Sequence, residues 1–189
     1  MSDTIQCQTP LALRPPPTLS DGVVVLRELR EDDRPAVLRT MRDPLVARWL
    51  NMPPRPADRD FDALLRLVRQ GRTSGDRIDY TVTENGGDVA IGAVIASRRH
   101  RDNYEVAYLA GAAGRGRGLM SRAVRLLCGY LLDAGVGRLE LRTHPENEPS
   151  QRLARRCGFR KEGRERSSIW LHGKRADALV WSLLPGDPR

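Results

Sequence analysis

The stretch Arg115-Gly116-Arg117-Gly118-Leu119-Met120 joins a strand-like run to a long amphipathic helix. Glycines let the backbone take left-handed conformations, so successive N–H groups can converge on one concavity. The helix start adds its unpaired N–H groups and the positive end of its dipole, and the arginines add formal charge. Together these features make a phosphate cradle. Upstream, Asn103-Tyr104-Glu105-Val106-Ala107-Tyr108-Leu109 is rich in strand formers. Downstream, Leu119, Ala123, Val124, Leu127, Tyr130, Leu131 and Ala134 recur at helical spacing, and Gly135 and Gly137 stop the helix. Arg138-Leu139-Glu140-Leu141-Arg142-Thr143-His144 then alternates as a half-buried strand. Strand, phosphate turn, helix and strand form a βαβ unit.

Working outward, residues 1–17 end in Arg14-Pro15-Pro16-Pro17 and read as a loose arm with polyproline character. Val23 to Leu29 reads as a strand. Asp32 or Asp33 caps a helix to about Met41, and Pro44 opens a short helix through Trp49. Asp58 to Arg69 carries Phe61, Leu64, Leu65 and Val68 on one helical face. Arg77 to Glu84 and Val89 to Ser97 form a hairpin around Asn85-Gly86-Gly87. Glu148 to Cys157 is a further helix, followed by strands from Arg160 to Arg166 and from Arg175 to Leu184. A hairpin followed by a βαβ unit implies a mixed sheet with helices on both faces.

The 189 residues are enough for one domain with a sizeable core. No apolar run approaches the roughly 18 residues that span a bilayer, and the N-terminus has no signal-peptide core, so a cytoplasmic protein without membrane association is expected. Cys7, Cys128 and Cys157 lack metal-type spacing, and Cys128 and Cys157 read as reduced core thiols. The formal charge of +8 comes almost entirely from arginine, with lysine only at Lys161 and Lys174. No aromatic platform interleaves with the basic residues, which argues against nucleic acid as the primary partner.

Glu105-x-x-Tyr108, Arg115-Gly116-Arg117-Gly118 and Asn147-x-x-Ser150-x-x-Leu153-x-x-x-Cys157-Gly158-Phe159, in this order, resemble the GNAT superfamily of acyl-CoA-dependent N-acyltransferases. Val25-Leu26-Arg27-Glu28-Leu29-Arg30-Glu31-Asp32-Asp33 and Asp43-Pro44-x-Val46-Ala47-Arg48-Trp49-Leu50 resemble its Rim-type branch, which includes ribosomal-protein N-terminal acetyltransferases. The likeness runs from about Leu19 to Leu184. It implies an α/β fold: a central mixed, largely antiparallel sheet of about seven strands with helices on both faces. The domain organisation is a flexible arm over 1–18 and a single acyltransferase domain over 19–185.

Transfer from a thioester to an amine needs a bound CoA, a neutral amine, a polarised carbonyl and stabilisation of the departing thiolate. The resemblance implies acetyl-CoA as donor, a primary amine as acceptor (a protein N-terminus or a small-molecule amine), no metal, and direct transfer within a ternary complex. It lays the acyl-pantetheine arm along Tyr108, Leu109, Ala110 and Gly111, where the strand diverges from its parallel neighbour. The pyrophosphate goes to Ala113, Gly114, Arg115, Gly116, Arg117, Gly118 and Leu119. Asn147 resembles the family asparagine near the pantetheine, and its sequence context equally suits a helix cap. Ser150 resembles a serine near the CoA sulfur whose hydroxyl hydrogen-bonds the departing thiolate, a catalytic role; the tyrosine many members carry four residues later is replaced by Ala154. Glu105 is the candidate base, with an ion pair to Arg98 or Arg99 as the structural alternative. His144 and His172 are the remaining pH-poised groups. Trp49, Leu50 and Met52 are expected to border the acceptor cleft. Met120, where the family pattern has Gly or Ala, is expected to crowd the helix start. A non-catalytic CoA-binding regulator or ribosome-associated binding module is the alternative class, and a homodimer is left open.

Overall fold

The computed structural model describes Leu13 and residues 18–188. Its strands are β1 (Thr18–Ser20), β2 (Val24–Arg27), β3 (Arg77–Glu84), β4 (Gly92–His100), β5 (Asn103–Ala110), β6 (Arg138–Thr143), β7 (Arg160–Leu171) and β8 (Lys174–Leu183). Its helices are α1 (Arg34–Met41), α2 (Pro44–Trp49), α3 (Asp58–Ser74), α4 (Leu119–Asp133) and α5 (Glu148–Arg156). The strands form one eight-stranded sheet in the order β1-β2-β3-β4-β5-β6-β8-β7. Every neighbouring pair is antiparallel except β5 with β6.

Helices cover both faces because β3 is buried on both. Ile78, Tyr80 and Val82 enter the larger core with Ala123, Val124, Leu127 and Leu131 of α4. The alternate residues Asp79, Thr81 and Thr83 are buried as well. A smaller core joins Leu38 of α1 to Phe61 and Leu65 of α3. An internal strand sandwiched in this way is apolar on one face and must satisfy its polar groups on the other.

The mixed sheet of the sequence reading is present, with the short β1 as an addition. Two boundaries moved for physical reasons. β4 starts at Gly92 and not Val89, because the preceding loop is drawn aside by Arg27, which donates to the Asp88 carbonyl at 2.8 Å. The strand expected to stop at Arg166 continues as β7 to Leu171. Ser167-Ser168 looks like a turn but forms a bulge, with Ser167 at φ +50° held by the Asp177 carboxylate on its N–H at 2.9 Å. Cys7 and nearly all of the N-terminal arm lie outside the described residues.

One topological fact positions the site. β5 and β6 pair over only three rungs, Asn103–Arg138, Tyr104–Leu139 and Glu105–Glu140. β5 then continues to Ala110 and β6 to Thr143 with no ladder between them. The sheet is split along its centre.

Candidate active site

The split opens into a cavity of about 710 Å³, lined by Glu105 to Ala110 of β5 on one side and Leu141 to His144 on the other. Gly114, Arg115, Gly116 and Gly118 close one end, and Asn147, Ser150 and Leu153 form a wall. Trp49 and Leu50 also line it, whereas Met52, Gly111, Ala113, Arg117 and Leu119 stand outside the lining.

At the phosphate-type turn, Gly116 and Gly118 have φ of +73° and +74°, with nothing within 4 Å of where a Cβ would stand. Gly118 is the residue before α4. The first helical bond runs from Arg122 N–H to the Gly118 carbonyl at 3.2 Å. The N–H groups of Leu119, Met120 and Ser121 therefore precede the ladder, as first-turn donors do. An open, left-handed turn ahead of these donors fits a pyrophosphate.

The two arginines are engaged with protein. Arg115 forms an ion pair with Asp43 and donates from Nε to the Ala110 carbonyl at 3.1 Å. Asp43 in turn caps α2, accepting the Leu45 N–H at 2.9 Å. Burial pushes the Asp43 carboxyl upward, but the Leu45 N–H and the Arg115 guanidinium outweigh it, and it is held below the usual carboxylate range. Arg115 thus ties the end of β5 to the start of α2. Arg117 grips Glu84 with two bonds of 2.7 and 2.5 Å at the surface.

Met120 lines the cavity at the start of α4. It is 4% exposed and points into the core, where a Cβ on Gly92 would lie 2.9 Å from its sulfur. The absent side chain at Gly92 makes the room.

Glu105 receives Arg99 Nε at 3.2 Å and Arg142 at 3.4 Å, while Arg98 turns away to Asp76 at 2.5 Å. Arg142 also contacts Glu140 and Glu165, both at 3.1 Å. Glu105 lies where two cavities meet: it also lines a second space of about 660 Å³, with Arg99, Arg142, Glu165 and Arg166. Sequence reasoning missed Arg142, whose strand pattern says only that it is polar.

Asn147 caps α5, its Oδ1 accepting the Ser150 N–H at 3.2 Å. Ser150 sits in the first turn, beside the Tyr108 phenol across the split. Burial pushes the Tyr108 hydroxyl up to about 12, against the opposing influence of the Ser150 hydroxyl. Cys157 is buried and free, and burial pushes its thiol up to about 11, which makes it a poor nucleophile.

The two histidines are each held through one ring nitrogen, and His144 lines the cavity. His144 Nδ1 accepts the Glu146 N–H at 3.2 Å, so its neutral ring carries hydrogen on Nε2. Its ring centroid is 5.3 Å from that of Trp49. His172 Nε2 meets the Arg48 carbonyl at 3.2 Å. Asn51 completes a clasp across the cleft, donating to the Trp170 carbonyl and accepting the His172 N–H, both at 2.8 Å. No local signal announces these contacts, because their partners are more than a hundred residues apart.

A family model described as an acetyltransferase (GNAT) domain matches residues 24–160. The chain belongs to the GNAT acetyltransferase family. GNAT-type acyl transfer from acetyl-CoA is the activity this membership carries. A protein described as an uncharacterized N-acetyltransferase p20 from Bacillus licheniformis is 25% identical over 170 residues, covering 88% of this chain and 96% of that protein. Among solved structures, a probable GNAT acetyltransferase from Chromobacterium violaceum superposes with a TM-score of 0.80 at 24% identity, over 98% of this chain and 95% of its own. Mycobacterium smegmatis RimJ in complex with CoA-disulfide gives 0.77 at 20% identity, over 86% and 82%. These likenesses establish the GNAT fold. Among the described residues no His, Cys, Asp and Glu grouping could hold a metal ion, and no helix is long and apolar enough to cross a membrane.

Proposed function

We propose that this GNAT protein transfers an acetyl group from acetyl-CoA directly to a primary amine. The observation that carries the proposal is the split between β5 and β6 beyond Glu105, with the glycine turn at one end of the cavity it opens. The edge of β5 beyond Glu105, which has no β6 partner, suits the amides of a pantetheine arm around Tyr108, and its N–H groups suit the thioester carbonyl, while the Ala110 carbonyl is held by Arg115. The turn around Gly116 and Gly118 and the first-turn amides of α4 take the pyrophosphate.

The second cavity is the approach for the acceptor, since it reaches the donor cavity at Glu105. In this reading Glu105 accepts the ammonium proton directly or through water, while Arg99 and Arg142 orient the carboxylate. Trp49 and Leu50 line the donor cavity and not the second one. A protein N-terminus is the acceptor favoured by the resemblance of Val25 to Asp33 and Asp43 to Leu50 to Rim-type motifs.

The test is turnover. Purified protein with acetyl-CoA and a panel of peptides and small amines is expected to release free CoA thiol and yield acetylated amine by mass spectrometry. Protection against heat by acetyl-CoA without thiol release on any amine would replace this reading with a non-catalytic CoA-binding regulator. Glu105→Gln is expected to lower kcat by roughly 10²–10⁴-fold, the usual range for a positioned base, with acetyl-CoA affinity nearly unchanged. Unaltered kcat would remove Glu105 as the base.

A further inference from the structure

The second cavity, of about 660 Å³, is walled by three guanidinium groups and two carboxylates. Both carboxylates are already answered by protein. Glu105 receives Arg99 and Arg142, and Arg142 also holds both oxygens of Glu165, at 3.1 and 3.3 Å. Glu140, which Arg142 reaches as well, is met by Arg138 Nε at 2.8 Å. Arg166 is left over: among the described residues it has neither a hydrogen bond nor an ion pair. Asp177 attracts it only at a distance, because the Asp177 oxygens go to Arg164 Nε at 2.7 Å and to the Ser167 N–H at 2.9 Å.

Consecutive residues of a regular strand face opposite sides of the sheet, yet Glu165 and Arg166 of β7 line the same cavity. The bulge at Ser167 breaks the alternation, with the register shifting between Glu165 and Ile169. Ser167, at φ +50°, is a non-glycine residue in the left-handed region. Such a conformation persists only where the surroundings enforce it. Here the Asp177 carboxylate accepts its N–H, and Arg175 donates to its carbonyl at 3.2 Å. Two side chains of β8 thus hold a strained bulge, and the bulge turns an unpaired cation into the cavity.

Resting on the acyl-transfer reading above, we propose that the acceptor is an amine with a carboxylate a few bonds away, and that Arg166 binds this carboxylate while the amine meets Glu105. The spacing suits one small acceptor, since the Arg142 guanidinium alone bridges Glu105 to Glu165, the neighbour of Arg166. A free guanidinium takes a carboxylate through two parallel bonds. The charge balance selects against polyamines and amines flanked by cations. A dication would find both carboxylates already neutralised and Arg166 opposing it. Two sources offer the chemistry: an acidic side chain on the second residue of a peptide, and the α-carboxylate of a free amino acid. No bond forms or breaks at Arg166, which sets specificity and leaves the transfer itself to the thioester and the amine.

The test measures kcat/KM for the full chain with acetyl-CoA and two acceptor series. One is the C-terminally amidated peptides Ala-Asp-Ala-Ala, Ala-Asn-Ala-Ala and Ala-Arg-Ala-Ala; the other is free alanine against alaninamide. The aspartyl peptide is expected to exceed the asparaginyl one by roughly ten-fold, the worth of one charge-assisted bond, with the arginyl peptide lowest. The preference should shrink as salt rises. Arg166→Gln should bring the aspartyl-to-asparaginyl ratio close to one, and Arg166→Glu should invert the order of the aspartyl and arginyl peptides. Arg59→Gln removes an exposed arginine of α3 outside this cavity and should keep the wild-type ratio, which separates local recognition from net charge. A preference for alanine over alaninamide that Arg166→Gln abolishes would identify the amino-acid carboxylate as the source; the same result confined to the peptides would identify the side chain. Comparing each ratio between wild type and Arg166→Gln cancels differences in amine basicity. Equal kcat/KM within both series, a preference that survives Arg166→Gln, or turnover confined to amines without an acid would overturn the inference while leaving acyl transfer standing. No turnover on any amine would overturn both. Arg166 is exposed, and a thermal melt of each variant checks that the fold is kept.

Discussion

Gly118 is open to solvent around its α-carbon and yet intolerant of a side chain, because its φ of +74° is left-handed. Gly118→Ala is expected to cost about 1–2 kcal/mol and to weaken CoA binding by tilting the first-turn amides of α4. Thermal melts and a CoA titration would measure the two effects. The glycine turn was legible in the sequence because its geometry is local: the residue type dictates the dihedral. The partners of its arginines were not, since Asp43 and Glu84 lie 72 and 33 residues away. Arg115→Glu would set a second carboxylate against Asp43 and release the end of β5, so CoA affinity should fall by roughly ten-fold or more. Unchanged affinity would show that Arg115 supports neither the phosphate nor the strand end.

At the scale of elements, two contacts hold strands to their neighbours. Arg27 on β2 grips Asp33 through two bonds of 2.8 Å, both side chains nearly inaccessible, and Asp33 also accepts the Arg30 N–H at 2.8 Å. Asp33→Ala leaves a buried guanidinium without its main partner and is expected to cost about 3–5 kcal/mol, seen as a lower denaturant midpoint. The second contact is the close approach at Gly92. A Cβ there would lie 2.5 Å from the Leu109 carbonyl oxygen as well as 2.9 Å from the Met120 sulfur. Gly92→Ala is expected to cost about 1–3 kcal/mol, and Met120→Ala should not restore it, because the Leu109 backbone cannot move aside. Helices and strands were readable from periodicity, but the room Met120 has was not, because it depends on Gly92 of another strand. The β7 boundary failed for a similar reason, since Asp177 of β8 turns a turn-like serine pair into a bulge.

Over the whole molecule, the outer sheet carries a pH dependence of known sign. Glu162 is held from an ordinary 4.5 down to about 2, first by the Arg138 guanidinium and then by the Ser182 hydroxyl. A depressed carboxylate contributes stability above its unfolded value and loses that contribution as pH falls through the folded one. Glu162→Gln should therefore reduce stability at neutral pH, and the difference from wild type should vanish between about pH 4.5 and pH 2. The side chain is 43% exposed, so the effect should stay below about 1 kcal/mol. Binding of CoA to the folded state alone should raise the melting temperature, by about 2.7 kcal/mol of stability at a hundred-fold excess over Kd.

By itself the sequence determined the order of elements, the glycine turn before α4, the cap at Asn147 and the resemblance that names the donor. Each of these is written within a few residues, in dihedral preference, periodicity or spacing. Only the tertiary structure decided which arginines face Glu105, that Arg115 is tied to Asp43, and that Tyr108 meets Ser150 across the split. Those pairings join residues far apart in the chain, and they depend on the point at which β5 and β6 cease to share hydrogen bonds. A strand pattern states which side chains alternate; it does not state where two strands part.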